Sequence, residues 1–205
     1  EIIILCTKPQ DANEVFESLK SLIEPNQLII SIMAGITINR LMSELSHETI
    51  IRAMPNTPAQ LGMGITGYSA SEHTKVQHIL KADNLLNSTG KTIYFDDENL
   101  LDAVTALSGS GPAYFYYLID AFVQSGIEMG IEPSTAELLV KQTMLGSFHM
   151  MNANEKSTTE LIASVASKGG TTEAALNSFN DDNLKEVIKK AVKSAEIRAR
   201  ELSKA

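Results

Sequence analysis

The chain has 205 residues, 43% of them apolar, which is enough for one large or two small domains with a real core. A formal net charge of −8, no Trp and 5% aromatics exclude the basic stripe and stacking platform of a nucleic-acid binder, so the expected ligands are small molecules. A single cysteine, Cys6, excludes an internal disulfide framework and fits a cytoplasmic setting; its simplest reading is a small buried residue at a strand end.

The histidines His47, His73, His78 and His149 form no ligand spacing, so no metal is expected. No stretch reaches the ~18 to 20 uninterrupted apolar residues of a membrane span, so no membrane partner is expected. The opening EIIILC lacks the basic lead-in of a signal peptide and reads as a buried strand, which leads us to expect that the sequence begins mid-fold.

Residues 1–97 alternate β-branched runs with helical segments: EIIIL, DANEVFESLKSLI, QLIISIM, INRLMSEL and TIIRAM. Strands that are apolar without alternation, separated by helices, predict parallel crossover units with both sheet faces covered. Ligand-binding residues in such sheets gather past the carboxyl ends of the strands. Cys6-Thr7-Lys8-Pro9, Ile32-Met33-Ala34-Gly35 and Met54-Pro55-Asn56-Thr57-Pro58 occupy those places.

Residues 62–67, GMGITG, carry the G-x-G-x-x-G spacing of a dinucleotide-binding loop. The mechanism of that loop needs a strand before it and a helix after it. Here two prolines precede and a β-prone run, Ile65 to Ser69, follows, so the segment reads as a glycine-relaxed turn into a strand.

After KTIYFDDE the patterning becomes helical, and residues 98–205 form the second predicted domain. It contains a long apolar helix interrupted at SGSGP, a helix entered through Pro133-Ser134, and a charged amphipathic helix that closes the chain. Met144, Met150 and Met151 with Phe148 could form a soft binding groove, but at helical spacing they are read first as core or subunit interface.

Two blocks could carry chemistry. Ser108-Gly109-Ser110-Gly111-Pro112 sits inside an apolar helix, where it means either a kink or tight helix crossing, or a place where a ligand or backbone comes close; both readings stay open. Ser167-Lys168-Gly169-Gly170-Thr171-Thr172-Glu173 opens a helix with a glycine pair and several hydroxyls. Free amides at such an entrance attract an anion such as a carboxylate, whereas capping alone needs only one hydroxyl.

ALSGSGPAY followed by SKGGTTEAAL and a final IRAREL resembles the pyrroline-5-carboxylate reductase family, and CTKPQD, SIMAGIT and RAMPNTP resemble the segments after that family's successive strands. The resemblance covers essentially the whole chain. It implies a Rossmann-type α/β domain, N-terminally incomplete, followed by an all-α dimerisation domain of the 6-phosphogluconate dehydrogenase C-terminal-like type. The implied reaction is reduction of a cyclic imino acid to L-proline by hydride from NADP or NAD in its reduced form, the last step of proline biosynthesis.

By match to the family motifs, Ser167, Gly169, Gly170, Thr171 and Thr172 would hold the substrate carboxylate, with Thr172 near the ring nitrogen. Thr105 and Glu98 would lie across that pocket; Thr172 and Thr105 are the candidate catalytic residues. Cys6, Thr7, Lys8 and Pro9 would contact the cofactor, Ile32, Met33, Ala34 and Gly35 would pass beneath it, and Asn56 would sit near the nicotinamide. The family also implies a homodimer through the helical domain, with dimers that assemble further into rings such as a decamer.

Two departures bear on these implications. Lys168 stands where many members have proline, which leaves open whether it touches substrate. The family's phosphate-binding loop belongs to a first βαβ unit that is expected upstream of residue 1, so activity of this chain alone is open as well. Two other readings stay in view: a β-hydroxyacid or 6-phosphogluconate-type dehydrogenase, whose helical-domain lysine setting is not found here, and a non-catalytic oligomerisation module.

Overall fold

In the computed structural model, which describes residues 1–204, the chain divides into two compact units. The first comprises Glu1–Pro112 together with the chain from Ala191 onward, and the second Ala113–Lys190. Packing therefore places the division beyond residue 97. Leu101 and Asp102, on the first helix after the sheet, are buried within the first unit, and so is Ala199 near the end of the chain.

Five strands form one sheet in the order of the chain: β1 Ile2–Leu5, β2 Leu28–Ser31, β3 Ile50–Met54, β4 Gly64–Ala70 and β5 Gly90–Tyr94. Helices α1 (Ala12–Leu19) and α2 (Ile38–Leu45) provide the crossovers that keep β1, β2 and β3 parallel, as the apolar runs predict. β4 turns back antiparallel to β3, because only a short 3-10 turn at Thr57–Leu61 joins them and a parallel return needs a dozen residues or more. Helix α3 (Val76–Leu86) then carries the chain to β5, parallel to β4.

Both faces of the sheet are covered. Ile29 and Ile50 pack with Phe16, Leu41 and Leu45 of α1 and α2. Leu28, Ile30 and Ile51 face the opposite side with Tyr68 and Ala82. Each side chain of β2 and β3 therefore meets a layer of its own, which is why these strands show no polar alternation.

GMGITG behaves as its flanks predict. Gly62 ends the 3-10 turn at φ +68°, in the left-handed region, and Gly64 starts β4. A Cβ on Gly64 would lie 2.8 Å from the Ala59 backbone, so close chain approach, and not a phosphate, explains that glycine.

Helix α4 (Leu100–Val104) continues through a π-helical turn at Thr105–Gly109 into α5 (Gly111–Glu128). Then follow α6 (Pro133–Asn152), α7 (Thr158–Val165), α8 (Thr171–Asp181) and α9 (Leu184–Lys204). Within the second unit α5 and α6 approach closely where a Cβ on Gly126 would lie 3.1 Å from that of Ala136. Among the described residues of this unit, Ala136 is the only buried apolar side chain.

The core reading of the methionine cluster is therefore corrected: Phe148 is 49% exposed and Met150 59%, because no third layer covers that face of α6. Cys6 is corrected too. It is exposed, since β1 ends at Leu5 and the thiol lies on the loop beyond the sheet. Among the described residues no helix is long and apolar enough to cross a membrane.

Candidate active site

The three parallel strands send their carboxyl ends to one edge of the sheet, and the predicted cofactor segments stand there. Thr7, Lys8 and Pro9 are exposed on the loop after β1. The Thr7 hydroxyl donates to the Met33 sulfur at 3.5 Å, tying that loop to the one after β2. Met33 is itself buried against α1 and α2, while Ile32 is half-buried on the opposite face, so this loop straddles the sheet edge. Gly35 takes φ +75°, and a Cβ there would meet Leu202 of α9 at 3.0 Å; glycine is required both by conformation and by the passing helix.

Asn56 follows β3 and is held from two sides. Its Oδ1 accepts the Ile65 N–H at 3.0 Å and its Nδ2 donates to Ser108 Oγ at 3.3 Å, which fixes which way the amide points. Ser108 lies in the π-helical turn, and a Cβ on its neighbour Gly109 would come within 2.6 Å of the Met54 terminal methyl. The SGSGP block thus interrupts its helix by widening one turn, and it brings that turn against the segment after β3. π-Turns of this kind recur at functional sites.

Thr105 begins the same turn, and its hydroxyl donates to the Leu101 carbonyl at 2.7 Å. Glu98 sits just before α4. One of its oxygens, Oε1, accepts both the Ile38 N–H at the start of α2 (2.8 Å) and Arg52 Nη1 (2.9 Å). Arg52, in mid-β3, reaches Asp102 through Nη2 at 3.0 Å, and Ser203 of α9 donates to the same Asp102 oxygen at 2.8 Å.

Sequence reasoning named Glu98 and passed over its partners Arg52, Asp102 and Ser203. The signal was present: an arginine inside the apolar run TIIRAM must find counter-charges when the strand is buried. Ser108 as the partner of Asn56 was likewise missed, because the two are fifty-two residues apart.

Ser167 to Thr172 belong to the second unit. Gly169 adopts φ +73° and Gly170 is the N-cap of α8, where no side chain caps the helix. The first-turn amides of α8 therefore have no intrahelical acceptor and no capping hydroxyl. Glu173 folds back to accept the Gly169 N–H at 2.6 Å, outside the helix. Thr172 lines a cavity of about 570 Å³ with Ser147, Met150, Ile162, Val165 and Leu176, all of the same unit. Lys168 is exposed beside this entrance.

A Rossmann-type sheet with its loops gathered at the carboxyl edge, and a helical unit with an uncapped helix entrance, define the architecture of a dinucleotide-dependent oxidoreductase. Comparison with known proteins makes this particular. Residues 98–202 match the pyrroline-5-carboxylate reductase dimerisation family. The pyrroline-5-carboxylate reductase of Pseudomonas aeruginosa is 38% identical over 204 residues, which covers 99% of this chain and 75% of that protein. That of Haemophilus influenzae is 39% identical, covering 98% and 75%.

Among solved structures, the reductase from Coxiella burnetii superposes with a TM-score of 0.90 at 37% identity, over 100% of this chain and 76% of that one. The Plasmodium falciparum pyrroline carboxylate reductase, solved with NADP bound, gives 0.92 at 29% identity, over 98% and 81%. The chain belongs to the pyrroline-5-carboxylate reductase family.

Proposed function

We infer that membership carries the family's reaction to this chain: the protein is an oxidoreductase that reduces 1-pyrroline-5-carboxylate to L-proline with NAD(P)H, the last step of proline biosynthesis. The hydride goes to the imine carbon and a proton to the ring nitrogen. A protonated imine is already electrophilic, so holding the ring in place matters more than acid-base machinery.

The uncapped entrance of α8 carries the site assignment. Its first-turn amides, with the hydroxyls of Ser167, Thr171 and Thr172 and the left-handed Gly169 next to Gly170, make a receptor for the substrate carboxylate. Within the helical unit Thr172 is assigned to the ring nitrogen, and within the sheet unit Thr105 and Glu98 are assigned to substrate by the family motifs. Cys6 to Pro9, Ile32 to Gly35 and Asn56 hold NADP or NAD at the sheet edge. When bound, the reduced nicotinamide supplies the hydride. The Thr7 to Met33 contact, the left-handed Gly35 and the doubly anchored Asn56 amide support that assignment, since each fixes a segment at the sheet edge that the cofactor would pass.

A homodimer through the half-exposed helical faces of α5 and α6 completes the proposal, and light scattering distinguishes a dimer from a closed ring such as a decamer. An exposed, unpaired Cys6 suits a cytoplasmic location.

Thr172→Ala in the full-length protein tests the site. Losing a hydrogen bond to a charged group costs about 1.5–3 kcal/mol, so the KM for pyrroline-5-carboxylate should rise ~10-fold or more while that for NADPH stays the same. Unchanged kinetics would remove Thr172 from the site.

A further inference from the structure

We propose that Arg52 is a positioning residue that fixes one oxygen of Glu98 and leaves the other to the substrate. The inference rests on the reading of Glu98 as a substrate contact. Arg52 stands in the middle of β3 between Ile51 and Ala53, and its side chain is only 4% exposed. A cation so placed requires anionic partners, and it has two, both from the segment after the sheet.

The two carboxylates are not equivalent. Asp102 is the more enclosed: its side chain is 8% exposed and its Oδ1 takes both Arg52 Nη2 and the Ser203 hydroxyl, although it too lines one of the cavities that Glu98 reaches. Glu98 is three times as exposed, at 24%, and it lines two cavities, one of about 300 Å³ shared with Asn39 and His73 and one of about 350 Å³ shared with Thr37 and Asn99. Both of its described hydrogen bonds, from Ile38 N–H and Arg52 Nη1, fall on Oε1. Oε2 has no protein partner among the described residues.

Arg200 and Lys204 line the larger of these two cavities as well, and the Glu98 oxygen without a described protein partner lies at the more exposed end of the group. Asp102 and Ser203 engage only the Nη2 arm of the guanidinium. The second arm of its fork instead clamps Glu98 to the start of α2, holding the carboxylate plane while Oε2 remains able to receive an N–H or O–H donor from a ligand. The planar guanidinium is suited to this, because its two arms reach two carboxylates at once; an ammonium is a single point charge and cannot hold both in fixed orientation.

Arg52→Lys, Glu98→Gln and the double variant of the full-length enzyme, each with a thermal unfolding curve, test the proposal. Glu98→Gln is expected to raise the KM for pyrroline-5-carboxylate ~10-fold. Arg52→Lys should raise it several-fold with kcat changed less than ~2-fold, and the double variant should be no worse than Glu98→Gln alone, because both changes act on one contact. Should Arg52→Lys not fold, Asp102→Asn carries the same test, since it loosens the other anchor of the fork.

A purely structural Arg52 would lower the unfolding temperature and the active fraction but leave KM unmoved, and that result overturns the proposal. Unchanged KM in Glu98→Gln is a different failure: it takes Glu98 out of the substrate site and removes the premise.

Discussion

Ile29, Ile50 and Leu41 in the sheet unit are entirely withdrawn from solvent, whereas Phe122, Leu139 and Met150 in the helical unit are half exposed or more. Both regions are rich in large apolar residues, so composition does not separate them; layering does. The sheet has helices on both faces, and each strand finds a cover within its own unit. The helical unit offers apolar faces on α5 and α6 for which its own residues supply no cover. An apolar stripe at helical spacing thus specifies that a face will be buried, not by which chain.

The largest expected effect lies on the self-sufficient side of that contrast. Phe16 is 1% exposed between α1 and β2, and Phe16→Ala should cost about 3–5 kcal/mol of stability through lost burial and the cavity left behind. Chemical denaturation checks it, and the cost should not depend on protein concentration. A concentration-dependent loss would mean that the first unit, too, relies on assembly.

Leu139→Lys tests the other side. Leu139 is 52% exposed on α6 and lines a cavity of about 340 Å³ with Phe122 and Met144. If a second copy covers that face, the substitution removes a buried leucine and places a charge in the seam, and the dimer dissociation constant should rise ~100-fold, or about 2.7 kcal/mol. Analytical ultracentrifugation over a dilution series reads this directly. A dimer of unchanged affinity would show that Leu139 is a solvent residue and that the cover lies elsewhere.

The same contrast shows what could be read from the sequence. INRLMSEL predicts α2 over the residues it occupies, because its apolar residues recur at helical spacing; the structure adds Thr37 as cap, accepting the Arg40 N–H. The strands were legible because double burial removes polar alternation. The α8 entrance was legible because glycine pairs and clustered hydroxyls are locally unusual.

What stayed hidden depends on partners far along the chain. The first helix stops at Leu19 and not near residue 23, since the chain turns there and the Gln27 side chain takes the Glu24 amide. Arg52 meets Asp102 across fifty positions, Asn56 meets Ser108, and Gly35 is crowded by Leu202. Periodicity reports the face a residue points to, and none of these pairings changes the periodicity. The exposure of Met150 was hidden for the complementary reason, because a core stripe and an interface stripe have the same spacing.

The smallest expected effect probes how completely the sheet unit closes over its polar atoms. His78, on α3, has a buried Nδ1 with no hydrogen-bond partner. Burial lowers its pKa, and Lys81 and Lys75 lower it further, because each disfavours the imidazolium. The folded state therefore binds the proton less readily than the unfolded chain, whose imidazole titrates near 6.5. Stability from this residue is fully present above that value and is lost as the pH falls below it and through the lower folded pKa.

His78→Gln cannot titrate, so its stability should fall less between neutral and mildly acid pH than that of the parent. Its neutral-pH stability should differ from the parent by less than either preceding change. The check is a set of unfolding curves for both proteins at several pH values. Parallel pH profiles would mean that water reaches Nδ1 in solution, and that the closure of the sheet unit is less complete on its α3 face than on the face of α1 and α2.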